Sequence, residues 1–282
     1  MASSPDKPTY PQLRAFSSGG GVQSTAALVL SAQGRIDFPV HLFANVGDDS
    51  ENPATLAYVR DVLKPFAAAH DIEFVELHRI RTRGAHRGPE TLYQRLTRPG
   101  SRSLPIPVRM SNGAPGTRSC TVTYKLEVVA RWHRDHGARP DRPSVTGIGF
   151  STDELERKGK ARHRDWEICE YPLLDDLGLS RADCMEITRK AGLPPAPRSA
   201  CWFCPMHRPS TWREMRRDQP ELFWQAVELE RVLNARDGRL GRDQIYFTRF
   251  ARPLDEAIGE AQPTLFDGDG WGETCDEGVC FV

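Results

Sequence analysis

The chain of 282 residues has no run of about twenty apolar residues, so it offers no candidate membrane-spanning helix. Its start, Met1-Ala2-Ser3-Ser4-Pro5-Asp6, lacks the basic residues and apolar core of a secretory signal, and a cytoplasmic location is expected. Net charge is absent as well, 38 basic residues balancing 38 acidic ones. The seven cysteines are an odd number without a secretion signal, which argues against a disulfide scaffold. No internal repeat is visible. With 39% hydrophobic and 27% charged residues the composition is that of a globular protein, long enough for one large domain or a domain with a substantial appendage.

The zero net charge conceals an asymmetry. Between Arg79 and Lys125 nine arginines and one lysine face a single acid, Glu90, whereas only acids follow Arg252. The basic stretch also holds Pro99-Gly100, Pro105, Pro107 and Gly113-Ala114-Pro115-Gly116, so it reads as a long irregular excursion. Its arginines suit phosphate, sulfate or a nucleic-acid backbone, or else form a solvated face balanced by the acidic tail.

The stretch Phe16-Ser17-Ser18-Gly19-Gly20-Gly21-Val22-Gln23-Ser24-Thr25 joins a short strand, Leu13 to Phe16, to a helix from Ala26 to Gln33. Three glycines remove every Cβ at the turn, and Ser24 and Thr25 are candidate caps. Backbone N–H groups at such a helix start favour an anion, above all a phosphate. The loop has neither the Lys-Ser/Thr of a Walker A loop nor the third glycine of a dinucleotide fingerprint.

Further along, Pro39 to Asn45 reads as a buried strand, Gly47-Asp48-Asp49-Ser50-Glu51 as its exit turn, and Pro53 as the start of a helix with Leu56, Val59, Val62, Leu63 and Phe66 at helical spacing. Ile72 to Leu77 is a third strand. This alternation predicts an α/β fold with a mostly parallel sheet, in which the glycine loop and the Asn45 to Glu51 turn share a crevice at the carboxyl edge. Asp48 and Glu51 are then candidates for magnesium or ribose. A helix from Thr121, as cap, to about His136 carries Lys125 one turn in; Ser144 to Gly149 is a strand and Trp166 to Leu173 an extended segment. Glu154 and Arg157 have the spacing of a helical ion pair. Ser180 and Asp183 cap a helix from Arg181 to Ala191, and Ser210 to Met215 and Pro220 to Asn234 are further helices. A boundary near Pro195 divides residues 1–195, the nucleotide-binding α/β domain, from residues 196–282, a helical region with a Cys201-x-x-Cys204 knuckle and an acidic tail bearing Cys275 and Cys280.

The order of these motifs resembles the PP-loop ATP pyrophosphatase and PAPS reductase superfamily, whose loop usually reads Ser-Gly-Gly-x-Asp-Ser. Gly20, Gly21 and Ser24 match it, while Gly19 and Gln23 stand where serine and aspartate are usual. With Phe43-Ala44-Asn45-Val46-Gly47, Arg118-Ser119-Cys120-Thr121 and Tyr124-Lys125, Gly147-Ile148 with Asp153-Glu154 and Arg157, and Ser199-Ala200-Cys201-x-x-Cys204-Pro205, the chain looks like the branch related to the sulfur-inserting component of DNA phosphorothioation systems. The resemblance covers most of residues 13 to 215. It implies a Rossmann-like adenine nucleotide alpha hydrolase fold, with helices on both sheet faces, that cleaves ATP between the α and β phosphates. A substrate oxygen is thereby adenylated and sulfur replaces it.

Ser18, Gly19, Gly20, Gly21, Gln23, Ser24 and Thr25, with Asn45, are assigned on this likeness to the nucleotide, Asp48 and Glu51 to Mg²⁺ or ribose, and Lys125, Arg118, Arg157 and Cys120 to catalysis. Nucleic acid, DNA or tRNA, is the expected acceptor, and a cysteine desulfurase a candidate sulfur donor. A nucleotide-responsive DNA-binding module without turnover is the rival reading. A sulfonucleotide reductase is the third, weakened because the Glu-Cys-Gly-Ile-His segment of such reductases is missing. The cysteines admit buried hydrophobes, a Cys₄ zinc site of Cys201, Cys204, Cys275 and Cys280 with His207 as substitute, or an iron–sulfur cluster on Cys120, Cys201, Cys204 and one terminal cysteine. The cluster is favoured because sulfur-handling relatives carry one. Cys169 and Cys184 read as core.

Overall fold

The computed structural model describes residues 12–84, 87–160, 164–236 and 243–259. Its centre is a five-stranded sheet in which every pairing is parallel. Strands β1 (Arg14–Ser18), β2 (Val40–Asn45) and β3 (Glu73–His78) form one half. A short antiparallel ribbon follows, β4 (Ile80–Arg81) with β5 (Gly88–Pro89), before β6 (Ser144–Ile148) and β7 (Glu167–Glu170) complete the sheet in the order β3-β2-β1-β6-β7. The strand order reverses between β1 and β6. Ligands of such sheets bind outside the carboxyl ends of the strands at this reversal.

Alternation along the strands supplies two apolar faces. Phe16 and Phe43 point toward α1 (Val22–Ala32) and toward α2 (Pro53–Tyr58) and α3 (Lys64–Ala68), which a wide turn at Val59–Leu63 joins. Ala15, Leu42 and Ala44 point the other way. α4 (Leu92–Thr97) precedes α5 (Glu127–Asp135), and α5 covers that second face with Val129 and Trp132. Each such fully buried Leu or Phe contributes about 1.5–3 kcal/mol. α6 (Arg181–Lys190) lies against α1, and the capping box of Ser180 and Asp183 is formed as expected. The largest core cluster joins Leu92, Leu96 and Tyr124 to Trp202 and Phe203, and to Trp212 and Phe223 of α7 (Pro209–Asp218) and α8 (Pro220–Asn234). It extends to Leu254 at the start of α9 (Leu254–Ala257). Among the described residues no helix is long and apolar enough to cross a membrane.

Several boundaries differ from the sequence reading. β1 runs on to Ser18, and α1 begins at Val22 with Gly21 as its cap, because the Ser24 hydroxyl reaches back to the Gly21 backbone rather than standing outside the helix. Thr121 is inside its helix, not the cap: Cys120 before it is already helical, and a wide turn at Thr121–Leu126 leads into α5. The extended segment from Trp166 ends at Glu170, where Pro172 opens a helical turn, Pro172–Asp176. The basic excursion contains α4, and its lone acid explains part of that order. Glu90 is buried and takes Arg79, Arg81 and Arg98 at 2.7, 3.3 and 2.8 Å.

Candidate functional site

The glycine loop sits at the reversal point. Gly20 has φ +74, a left-handed conformation, and a Cβ there would stand 3.1 Å from the Thr55 and 3.2 Å from the Val59 side chain, so α2 holds the loop closed from behind. Gly21 caps α1; its N–H donates to Ser24 Oγ at 3.0 Å and its carbonyl accepts from the Thr25 backbone and hydroxyl, each at 2.9 Å. Thr25 is fully buried, so its hydroxyl is a structural part of the loop. The Ser18 hydroxyl is buried with no partner among the described residues.

Ser17, Gly19, Gly21, Gln23 and Ser24 line a crevice whose far wall is Gly149 and Phe150, just after β6, with Arg157 and Ser199 closing it. Its volume is about 30 Å³, room for roughly one water. Arg157 and Glu154 form an ion pair, each side chain only 6% exposed, and the Arg157 guanidinium lies 4.6 Å over the Phe150 ring. The pair belongs to the 3₁₀ segment Thr152–Lys160, not to an α-helix face. Burial pushes the Glu154 carboxyl up, against the pull of Arg157.

Gln23 explains its own presence in the loop. Its amide nitrogen donates to Glu154 Oε2 at 3.2 Å and its oxygen accepts from Arg181 Nη1 at 3.2 Å. An aspartate here would set a second carboxylate against Glu154, whereas the amide satisfies acid and base together.

The Asn45 to Glu51 turn lies on the same sheet edge, but its side chains do not line the crevice. Gly47 has φ +133, and a Cβ would come within 2.4 Å of Thr91. Asn45 is buried and donates to Asp48 at 2.8 Å and Glu76 at 2.6 Å, so it fixes the turn. Asp48 is exposed. Glu51 is buried, burial pushes its carboxyl up, and the charge of Lys125, also buried, acts against that shift. Glu51 and Lys125 therefore come within charge range of each other, and neither lines the crevice. Arg118 and Cys120 are half-buried at the start of the helix that carries Lys125.

The cysteine knuckle is stitched to both loops. Ser199 donates its hydroxyl to the Gly19 carbonyl, Asn52 N–H donates to Ala200 O at 3.1 Å, Trp202 N–H to Ser50 O at 3.2 Å, and Glu51 bridges Cys201. Within it the Cys204 N–H donates to Cys201 O at 3.1 Å. His207 Nε2 donates to that same carbonyl at 2.9 Å, which draws this nitrogen away from any metal. Cys120 and Cys201 both border the largest core cluster, and Cys204 is buried within charge range of Arg109. Among the described residues no three His, Cys, Asp or Glu side chains converge as a metal-holding group. Cys275 and Cys280 lie outside the described residues. Cys184 is buried and Cys169 half-buried, their thiols pushed up to about 12 and about 11 by burial first and by nearby acids.

No protein-family model, curated protein or solved structure matches the chain. Sequence reasoning missed Ser17, Gly149, Phe150, Arg181 and Ser199. Gly149, as the first residue past a strand beside β1, and Ser199, directly before the knuckle, were the legible signals.

Proposed function

We propose that the chain is a PP-loop ATP pyrophosphatase with an adenine nucleotide alpha hydrolase fold, which adenylates an oxygen of a nucleic acid for replacement by sulfur. One observation carries this reading: glycine loop, β6 turn and cysteine knuckle meet at a single crevice where the strand order reverses. Loop amides and the start of α1 attract the phosphates, and Arg157 offsets the charge that grows on departing pyrophosphate. Glu154, itself bonded by Gln23, holds Arg157 at the crevice. Mg²⁺ supplies further neutralisation when bound; exposed Asp48 fits it better than Glu51, which is buried against Lys125.

The described cysteines alone do not close a metal site, so an iron–sulfur cluster, or zinc in its place, needs Cys275 or Cys280 beside Cys201 and Cys204, with Cys120 bordering the same core cluster. A cysteine desulfurase as sulfur donor belongs to the same proposal. The test is pyrophosphate release from ATP and Mg²⁺, with and without DNA, tRNA and a sulfur donor. Release stimulated by one nucleic acid is the expected result. No release under any condition overturns the enzyme and leaves a nucleotide-responsive binding module.

A further inference from the structure

A second, larger recess lies at the same carboxyl edge of the sheet as the glycine loop, on the face that α5 covers. Its volume is about 460 Å³, and it begins at His78, the last residue of β3, between residues 79–84 and one face of the helix that carries Thr123, Glu127 and Arg131. β3 is two strands from β1, so the strand end at which the recess begins stands about 10 Å along the carboxyl edge from the end of β1.

Its charge is strongly one-sided. Arg79, Arg81, Arg83 and Arg131 line it, against the exposed acid Glu127. Arg79 and Arg81 share buried Glu90 with Arg98, three guanidiniums on one carboxylate, which leaves an excess of positive charge behind the recess. Among the described residues neither Arg83 nor Arg131 is ion-paired. Ile80, between the first two arginines, is 53% exposed and offers an apolar contact beside the charges.

We infer that this recess binds the phosphodiester backbone of a single nucleic-acid strand and feeds that strand to the glycine loop. Arginines grip phosphate oxygens, Ile80 meets a sugar or base, and the neighbouring nucleotide reaches the reacting crevice. A concave recess of this size admits one backbone, while the full cross-section of a duplex stays on its rim. The inference rests on the reading of the loop as the site of activation.

The test uses the full chain and the double variant Arg83→Gln/Arg131→Gln, with Arg83→Gln alone as an intermediate. Fluorescence anisotropy follows a labelled single strand of about 16 nucleotides, as DNA and as RNA, and the corresponding duplex, across a salt series. Losing two phosphate contacts makes the slope of log affinity against log salt shallower by roughly 1.4, and at about 0.1 M salt weakens single-strand binding about 25-fold relative to the limit at 1 M. Arg83→Gln alone gives about half that change in slope. Unchanged thermal unfolding and ATP binding in the variants show that the fold and the loop are intact. An unaltered slope, or a loss confined to the duplex, overturns the inference. If the wild type shows the arginine-dependent slope but releases no pyrophosphate, the recess stands and the activation reading falls. Pyrophosphate release with an unaltered slope has the opposite meaning.

Discussion

Arg157 and Glu154 set opposite expectations for one measurement, nucleotide affinity. Their pair is buried, each side chain 6% exposed, and Arg157 lines a crevice of about 30 Å³. On the proposed reading, phosphates reach the loop amides only as Arg157 exchanges the carboxylate for a phosphate oxygen. In Arg157→Gln one charge-assisted hydrogen bond to phosphate is lost, worth about 1.5–3 kcal/mol, or roughly 10- to 150-fold in affinity. In Glu154→Gln the competitor for Arg157 is weakened, and ATP binds more tightly, by up to about tenfold. Both variants lose stability, about 3–5 kcal/mol each, since either leaves a buried charge without its partner. The assays are isothermal titration with ATP and Mg²⁺ for affinity and urea unfolding for stability. If both substitutions weaken ATP alike, Glu154 is not a competitor; if Arg157→Gln leaves affinity unchanged, phosphates do not use Arg157 at all.

Two further predictions concern the frame around the site. Glu230, buried on α8, accepts from Phe247 and Leu254 N–H groups at 2.5 and 2.9 Å, and burial outweighs these bonds to push its carboxyl up to about 7. A raised folded-state value means that its contribution, roughly 3 kcal/mol, is fully present below the unfolded value near 4.5 and is lost as pH rises through about 7. His41 and His133, buried and lowered to about 3 and about 4, act in the other sense and erode stability as pH falls below 6.5. The wild type minus Glu230→Gln difference in urea midpoint isolates the glutamate, and a flat difference between about pH 4.5 and 8 refutes its value. Gly20→Ala, forced into φ +74 with side chains at 3.1 and 3.2 Å, costs more than the about 1–2 kcal/mol of left-handed strain alone. Gly34→Ala, at φ +67 with nothing within 4 Å, measures that strain by itself; equal losses in thermal unfolding mean that α2 does not brace the loop.

The sheet was legible because its signals are local. Val40 to Asn45 is a continuous buried run between a helix stop and a turn, and Ser180 with Asp183 announces a cap through a fixed three-residue spacing. Boundaries were less so where a side chain chose between two backbone partners, as Ser24 did in turning back to Gly21. The crevice itself was only half legible. Its near wall is one loop, but its far wall comes from residues 149–157 and its lid from Ser199, contacts 131 and 180 residues apart in the chain that only the fold creates. Charge counting was the least reliable guide. The excursion from Arg79 to Lys125 reads as an irregular segment whose arginines are open to phosphate or solvent, yet Glu90 binds three of them and Glu51 lies within charge range of its lysine. Burial decides which cations remain available, and sequence carries no record of burial for an arginine in an irregular segment. That is why Gln23, the residue that departs from the usual loop, became intelligible only through Glu154. A position in the first turn of α1 had to be neutral because a carboxylate from the opposite side of the sheet's reversal point already stood against it.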